Sequence, residues 1–171
     1  MTTAIDLSQI RPSRLWKQLP DNQRLQTARD FWTDEQSGPQ QEEAIALMAE
    51  KMKFRPKTLR ALPAEKKARY LSSISSISDT LAARLLVIYH LEMQRPMMAS
   101  FLDDLGIVHQ EGLISEQEVK APDPARLAAA VNALAAKYPR EDVTRYLSTL
   151  WLQDPETWSG FKELNHLRSG D

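Results

Sequence analysis

The sequence contains no cysteine and only three histidines. The absence of cysteine excludes disulfide scaffolds, thiolate nucleophiles, iron–sulfur clusters and zinc sites that need sulfur ligands. No histidine belongs to an HExxH, HxH or His-x3-His pattern, and no serine lies in a G-x-S-x-G motif. Glycine-rich loops of the P-loop or dinucleotide-binding type are also missing, which disfavours nucleotide hydrolysis. We therefore expect no cofactor.

Long apolar runs are missing as well. The longest nearly apolar run, Leu81 to Leu91, is interrupted by Arg84 and His90 and is too short to span a bilayer. The first fifteen residues contain no apolar stretch of the length found in signal peptides. These two observations predict a cytoplasmic protein without a membrane partner.

Neither sign of charge dominates the chain. The 22 basic residues are nearly balanced by 23 acidic residues, which gives a formal net charge of -1. No overall electrostatic field therefore selects nucleic acid, an anionic membrane or an acidic substrate. Any such partner must be bound by a local group of charges.

The apolar residues that are present favour helices. Leu and Ala together supply 41 residues, whereas Val and Ile supply 13, and the first two lose little side-chain freedom in a helix. The chain is predicted to be all-α, with about eight to ten helices in one domain of residues 1–171. Its expected parts are an N-terminal helical arm (1–39), central helices (40–105), a long connection (106–123) and a C-terminal three-helix unit (124–171).

Apolar spacing and proline positions predict where the central helices lie. Helices are expected near 40–53, 63–74 and 78–94, and the third is apolar on nearly all sides, as a central helix would be. Pro96 should end or kink that helix, and the next helix should end at Gly106.

The ends of the chain show the same pattern. Short N-terminal helices are predicted over 12–19 and 21–32. In the C-terminal part, one helix should begin at Asp123-Pro124, a second should follow Pro139, and a third should open at Asp154-Pro155. The third helix is expected to present Trp158, Phe161 and Leu164 on one side.

One internal similarity allows two interpretations. The segments 63–72 and 139–148 share proline, glutamate, arginine, tyrosine, leucine and serine at matching positions. They can mark two copies of a three-helix unit, over 40–94 and 124–167. Alternatively, both segments obey the same chemistry of helix starts and match by chance, because the chain is rich in these residue types.

The strongest local charge lies between Lys51 and Arg69, where eight cations face a single acid, Glu65, for a net charge of +7. Phe54 and nearby Tyr70 can stack on bases while cations bind phosphates, so one interpretation is a nucleic-acid-binding segment. The other is a solvated face, or one that pairs with residues 103–123, of net charge -5, within or between subunits. The eight cations are Lys51, Lys53, Arg55, Lys57, Arg60, Lys66, Lys67 and Arg69.

Histidines near carboxylates suggest a further alternative, a small helical enzyme or metal protein. Histidine titrates near neutrality and binds metals, so it is the natural candidate for acid–base or metal chemistry. Against this, His90 lies in the most apolar helix, where a histidine bonded to a backbone carbonyl or a carboxylate is the simpler interpretation. The candidate residues are His90, His109, Asp103, Asp104 and Glu111.

The many amphipathic helices and the lack of an assembled catalytic motif favour a non-catalytic protein-interaction module. Its expected partner is another protein, and self-association is included in this expectation. The two alternatives are a nucleic-acid-binding domain using 51–69 and the histidine–carboxylate site.

Overall fold

The computed structural model describes residues 10–163, and within this range it is all-α, as predicted. Nine α-helices and one short hairpin are present in these residues, which agrees with the expected number of helices. The helices are α1 (Pro12–Gln18), α2 (Asp21–Thr33), α3 (Gly38–Met52), α4 (Pro56–Arg60), α5 (Ala64–Ser73), α6 (Asp79–Met93), α7 (Arg95–Leu105), α8 (Pro124–Lys137) and α9 (Arg140–Gln153). The strands are β1 (His109–Gln110) and β2 (Leu113–Ile114).

Contacts between Cα atoms that lie close in space divide the chain into two compact units. We call Arg11–Glu92 the N-terminal unit, and the described residues from Met93 onward the C-terminal unit. The boundary falls inside the expected central block 40–105. Helices α1 and α2, expected to form an arm, belong to the N-terminal unit. The assignment of one domain to residues 1–171 stays a prediction.

In the N-terminal unit, α2 packs mainly against α5. Ala28 and Phe31 of α2 and Ala68 and Leu71 of α5 are fully buried, because the three-residue spacing of each pair places it on one side of its helix. Helix α3 packs against α4 and α5. These contacts position the segment 51–69.

Helix α6 is buried around much of its circumference, as its composition predicts. Its buried residues are Leu81, Ala82, Leu85, Leu86, Ile88, Tyr89 and His90. The expected break follows it, since α7 begins next to Pro96. Helix α7 ends where Gly106 adopts a left-handed conformation with φ 68°, which glycine tolerates without strain.

The core of the C-terminal unit contains an aromatic cluster. The Phe101 ring of α7 lies 5.7 Å from the Tyr146 ring of α9 and 5.9 Å from the Trp158 ring. Phe161 stacks on Trp158 at 5.3 Å. Burial raises the pKa of the Tyr146 hydroxyl well above its usual range.

The structure corrects the helix expected after Asp154. Turns and a 3-10 helix, Ser159–Glu163, occupy this position within the described residues. Asp154 accepts hydrogen bonds from the backbone and hydroxyl of Thr157, so it stabilises a local turn. Leu164, which was expected on the same helix, lies outside the described residues.

Two elements were not predicted. Helix α4 is only five residues long. The hairpin lies in the expected connection 106–123, where Glu111 and Gly112 form its turn with φ values of 49° and 92°. Positive φ at both central turn residues is typical of a type I′ turn, which joins two antiparallel strands.

The internal similarity is limited to the starts of two helices. Helices α5 and α9 each follow a proline in an extended conformation, and Leu71 and Leu147 are both fully buried. The matching arginines differ, because Arg69 is exposed and Arg145 is buried. Duplication of a three-helix unit therefore gains no support from the packing of these two helices.

Candidate functional site

The eight cations between Lys51 and Arg69 lie on three neighbouring helices and the loop after the first. Lys51 is in the last turn of α3, Lys53 and Arg55 are in the loop, and the others belong to α4 and α5. All are exposed except Lys67, which is half-buried. We call these eight residues, together with Phe54 and Tyr70, the basic surface.

Three of the eight cations have partners within the N-terminal unit. Arg60 donates to Glu42 of α3 at 2.7 Å, and this hydrogen bond lowers the pKa of the Glu42 carboxyl. Arg69 lies 3.3 Å from Glu65. The Lys67 ammonium lies over the Trp32 ring, 4.9 Å from its centre, at a distance that allows a cation–π interaction.

The remaining five cations form no ion pair with any carboxylate among residues 10–163. All five are exposed. Their charge is therefore available to an external anion without first breaking an internal pair. They are Lys51, Lys53, Arg55, Lys57 and Lys66.

The only acid within the segment does not neutralise these five cations. Glu65 accepts two hydrogen bonds from Arg29 of α2, at 2.7 and 2.8 Å. The Arg29 contact, with a smaller contribution from Arg69, lowers the pKa of Glu65 to about 2. The local net charge stays positive when the outside partners are included, because Arg29 adds one positive charge and Glu42 adds one negative charge.

Phe54 places an aromatic ring among the free cations. Helix α3 ends at Met52, and Lys53, which follows it, adopts a left-handed conformation with φ 62°. The Phe54 side chain is 43% exposed, and its ring meets the Tyr70 ring edge-to-face at 6.3 Å. Lys66 lies one helical turn before Tyr70 on α5, so it is a neighbour of this aromatic pair.

His90 occupies the buried position that the simpler interpretation predicts. It is 3% exposed, and its Nδ1 lies 2.8 Å from the Leu86 carbonyl oxygen one turn earlier. A carbonyl oxygen only accepts hydrogen bonds, so Nδ1 carries the proton. The Tyr89 ring meets the His90 ring edge-to-face at 5.0 Å.

Both ring nitrogens of His109 are engaged in hydrogen bonds. Its Nδ1 accepts a hydrogen bond from the Gly112 N–H at 3.0 Å, and its Nε2 lies 2.6 Å from an Asp103 oxygen. An accepting Nδ1 places the proton on Nε2, which donates to Asp103. Neither nitrogen is left to bind a metal or to accept a proton from a substrate in this arrangement.

The other carboxylates of the third interpretation lie on the same unit. The backbone oxygen of Asp104 accepts from Arg126 Nε at 3.0 Å. Arg95 donates to the Glu111 backbone oxygen at 3.0 Å and lies 3.7 Å from its carboxylate. Among residues 10–163, no three histidine or acidic side chains are grouped in a way that could hold a metal ion.

A cavity of about 300 Å³ lies in the C-terminal unit between the end of α7, the start of α8 and residues 116–123. Its polar groups bind the backbone around it. Glu116 accepts from the Val108 N–H at 2.6 Å, and Asp123 accepts from the Arg126 N–H at the start of α8. Glu116 and Asp123 therefore stabilise a loop and a helix end.

Several contributors to the basic surface were not identified from the sequence. Arg29, Glu42 and Trp32 decide which cations are engaged, and they lie outside the segment 51–69. No local spacing signals these contacts. The exposure of Val108 and Leu113 on the hairpin was missed because the hairpin was missed.

None of the helices within residues 10–163 is long and apolar enough to cross a membrane. No family model matches the chain, and no curated protein or solved structure is significantly similar to it. Function is therefore inferred from the chemistry of the residues described above.

Proposed function

We propose that the chain is a non-catalytic protein that binds single-stranded nucleic acid through the basic surface. One observation carries this proposal. Phe54 is 43% exposed and lies between Lys53 and Arg55, which are both exposed and free of ion pairs among the described residues. An accessible aromatic ring flanked by free cations is the arrangement that binds a base and its neighbouring phosphates.

The free cations supply the electrostatic part of binding. Each cation that neutralises a phosphate releases a counterion, so affinity depends steeply on salt concentration. Cations already paired with carboxylates contribute less, because the internal pair must be broken first. The five free cations of the basic surface have no such cost.

The aromatic pair favours a single strand over a duplex. Bases in a duplex are already stacked on each other, whereas an unpaired base can stack on Phe54. Tyr70 supports the Phe54 ring from its edge. Stacking of this kind contributes about 1–3 kcal/mol per base and tolerates any base sequence, so we expect little sequence preference.

The other two interpretations have less support from the described residues. A histidine–carboxylate site is disfavoured by the hydrogen bonds that His90 makes to Leu86 and that His109 makes to Asp103 and Gly112. A protein-interaction role stays a prediction. The exposed hairpin residues Val108 and Leu113 favour it.

Fluorescence anisotropy with a labelled oligothymidylate tests the proposal. Binding to five phosphates predicts a slope of about -3.5 when the logarithm of the association constant is plotted against the logarithm of salt concentration. A duplex of equal length should bind more weakly at every salt concentration. A complex that is insensitive to salt, or no complex at low salt, would overturn the proposal.

Two variants separate the charge and stacking contributions. The triple variant Lys53→Gln, Arg55→Gln and Lys57→Gln should reduce the slope to about -1.4, because two free cations remain. Phe54→Ala should lower affinity by about tenfold without changing the slope. The matched control neutralises three exposed cations of the C-terminal unit, Lys120→Gln, Lys137→Gln and Arg140→Gln. Equal losses in the control and the triple variant would contradict the assignment.

A further inference from the structure

Three large apolar side chains are exposed among residues 10–163, and they lie in two regions of opposite charge. Phe54, at 43% exposure, belongs to the basic surface. Val108 and Leu113, at 60% and 49%, belong to the hairpin. Exposed apolar side chains within a charged rim are typical of surfaces that bind another protein.

The hairpin presents its two exposed apolar side chains, Val108 and Leu113, on one face. His109 pairs with Ile114 and Gln110 pairs with Leu113, and the Ser115 N–H continues the ladder to the Val108 oxygen at 3.1 Å. Side chains alternate along a strand, so one face carries His109 and Ile114, which are half-buried. The opposite face is exposed and carries Val108, Gln110, Leu113 and Ser115.

This exposed face belongs to an acidic segment of the chain. The segment 103–123 has a net charge of -5, and it remains negative after Arg95 and Arg126, which bond to it, are included. Asp104 and Glu118 are exposed and form no ion pair among the described residues. We call Val108–Ser115 together with Asp103, Asp104 and Glu118 the acidic hairpin.

If two copies of the chain meet, the distribution of charge determines which contact between them is favourable. Two acidic hairpins, or two basic surfaces, would bring like charges together, which is unfavourable. An acidic hairpin against a basic surface brings opposite charges together and covers Phe54, Val108 and Leu113 at once. A contact between two different surfaces is heterologous, and it produces rings or open chains of subunits.

We propose that the acidic hairpin of one copy docks on the basic surface of a second copy. The docking uses the same surface as the proposed nucleic-acid binding, so the two interactions compete. It does not require the nucleic-acid proposal to be correct. Exposed ion pairs each contribute little and are screened by salt, so the association is weak and is lost at high salt.

Sedimentation velocity of the wild-type chain gives the first test. The average mass should rise with protein concentration at low salt and fall back to that of the monomer at high salt. Addition of a saturating oligothymidylate should also return the chain to single copies. A monomer at all concentrations and salt conditions would overturn the proposal without any variant.

Two complementary variants give the second test. The basic-surface variant carries Lys53→Glu, Arg55→Glu and Lys57→Glu. The hairpin variant carries Val108→Thr, Leu113→Thr, Asp104→Lys and Glu118→Lys. Each variant should be monomeric alone, because each lacks one of the two surfaces. An equimolar mixture should form a dimer, because each variant keeps the surface that the other lacks. It should form no larger oligomer, because neither variant carries both surfaces.

The outcomes separate the two proposals. If the hairpin variant binds oligothymidylate but the mixture forms no dimer, docking is overturned and nucleic-acid binding stands. If the mixture forms a dimer but neither the wild type nor the hairpin variant binds oligothymidylate, the nucleic-acid proposal is overturned and docking stands. Circular dichroism of each variant checks that its helices are retained.

Discussion

The basic surface and the acidic hairpin both combine exposed apolar side chains with a strong local charge, but they use their polar side chains differently. In the hairpin and its surroundings, side chains bind the backbone. His109 accepts from the Gly112 N–H, Glu116 accepts from the Val108 N–H, and Arg126 donates to the Asp104 oxygen. In the basic surface, five of the eight cations have neither a carboxylate partner nor a cation–π contact among the described residues.

This difference indicates which substitutions should affect stability and which should affect binding. A backbone group that loses its side-chain partner costs folding free energy when it is shielded from water. An exposed cation without a partner can be removed at little cost to folding. Changes to the side chains that bond the hairpin backbone should therefore lower stability, whereas changes to the free cations of the basic surface should lower binding.

Gly112→Ala should have the largest effect. Gly112 has φ 92°, and a Cβ there would lie 2.8 Å from the Met98 Cβ and 3.2 Å from the Arg95 oxygen. Backbone strain and overpacking together should lower the free energy of unfolding by about 3 kcal/mol, measured by urea denaturation. As a control, a Cβ at Gly38 meets nothing within 4 Å, so Gly38→Ala at the start of α3 should stabilise by about 0.5–1 kcal/mol. Equal effects of the two changes would contradict the hairpin geometry.

His109→Ala should have the next largest effect. It removes the acceptor of the Gly112 N–H, which belongs to a buried residue, and the partner of Asp103. The expected loss is about 2 kcal/mol of unfolding free energy, from the same denaturation experiment. Lys57→Ala on the basic surface serves as the comparison and should change stability by less than about 0.5 kcal/mol. If the His109 variant were as stable as the Lys57 variant, the structural role of this histidine would be wrong.

Lys53→Gly should have a smaller effect and the opposite sign. Lys53 ends α3 with φ 62°, a conformation in which glycine is unstrained. The variant should be more stable by about 1 kcal/mol in thermal or urea unfolding, yet it should bind oligothymidylate more weakly because one cation is lost. Lys51→Gly, within the last turn of the same helix, should lose a similar affinity while destabilising the chain by about 1 kcal/mol. If the Lys53 variant lost both stability and affinity, the proposed separation of the two properties would be contradicted.

The ion pair between Arg29 and Glu65 should produce the smallest effect, because both side chains are partly exposed and water screens the pair. The Glu65 pKa is lowered from 4.5 to about 2 in the folded chain. Its contribution is therefore fully present above about pH 4.5 and is lost as the pH falls toward 2. Glu65→Gln should reduce the loss of unfolding free energy that occurs as the pH falls from 4.5 to about 2. Glu50→Gln, at an exposed position of α3, should leave the fall unchanged, and a steeper fall in the Glu65 variant would contradict the assigned sign.

Most helices could be predicted from the sequence because their signals are local. Apolar spacing marked α3, α5, α6, α8 and α9. Asp123 caps α8 as predicted, since its carboxylate accepts from the Arg126 N–H. Helix α4 was missed because five residues contain too little of the helical period.

The hairpin could not be predicted from local patterns. Its strands have two residues each, and its turn is Glu111-Gly112 instead of the asparagine–glycine or aspartate–glycine pairs that favour a type I′ turn. The hydrogen bond from Gly112 to His109 and the packing of Gly112 against Met98 hold this turn. These contacts form only in the folded chain, so local sequence patterns do not reveal them.

The basic surface was predicted in its position but not in its pairing. The sequence shows eight cations and Phe54, and seven of the eight cations are exposed in the structure. Which cations remain free depends on Glu42, Glu65 and Trp32. Two of these lie outside 51–69, so the spacing within that segment does not determine the pairing.

Nuclear magnetic resonance titration with an oligothymidylate tests the central claim most directly, because it reports every backbone amide in one experiment. The account predicts shifts at low salt that concentrate at residues 51–57, Lys66 and Tyr70 and disappear at high salt. Amides of the hairpin should shift only as copies separate, and at low protein concentration they should not move. Shifts centred on the hairpin, or no shifts in the basic surface, would contradict the account.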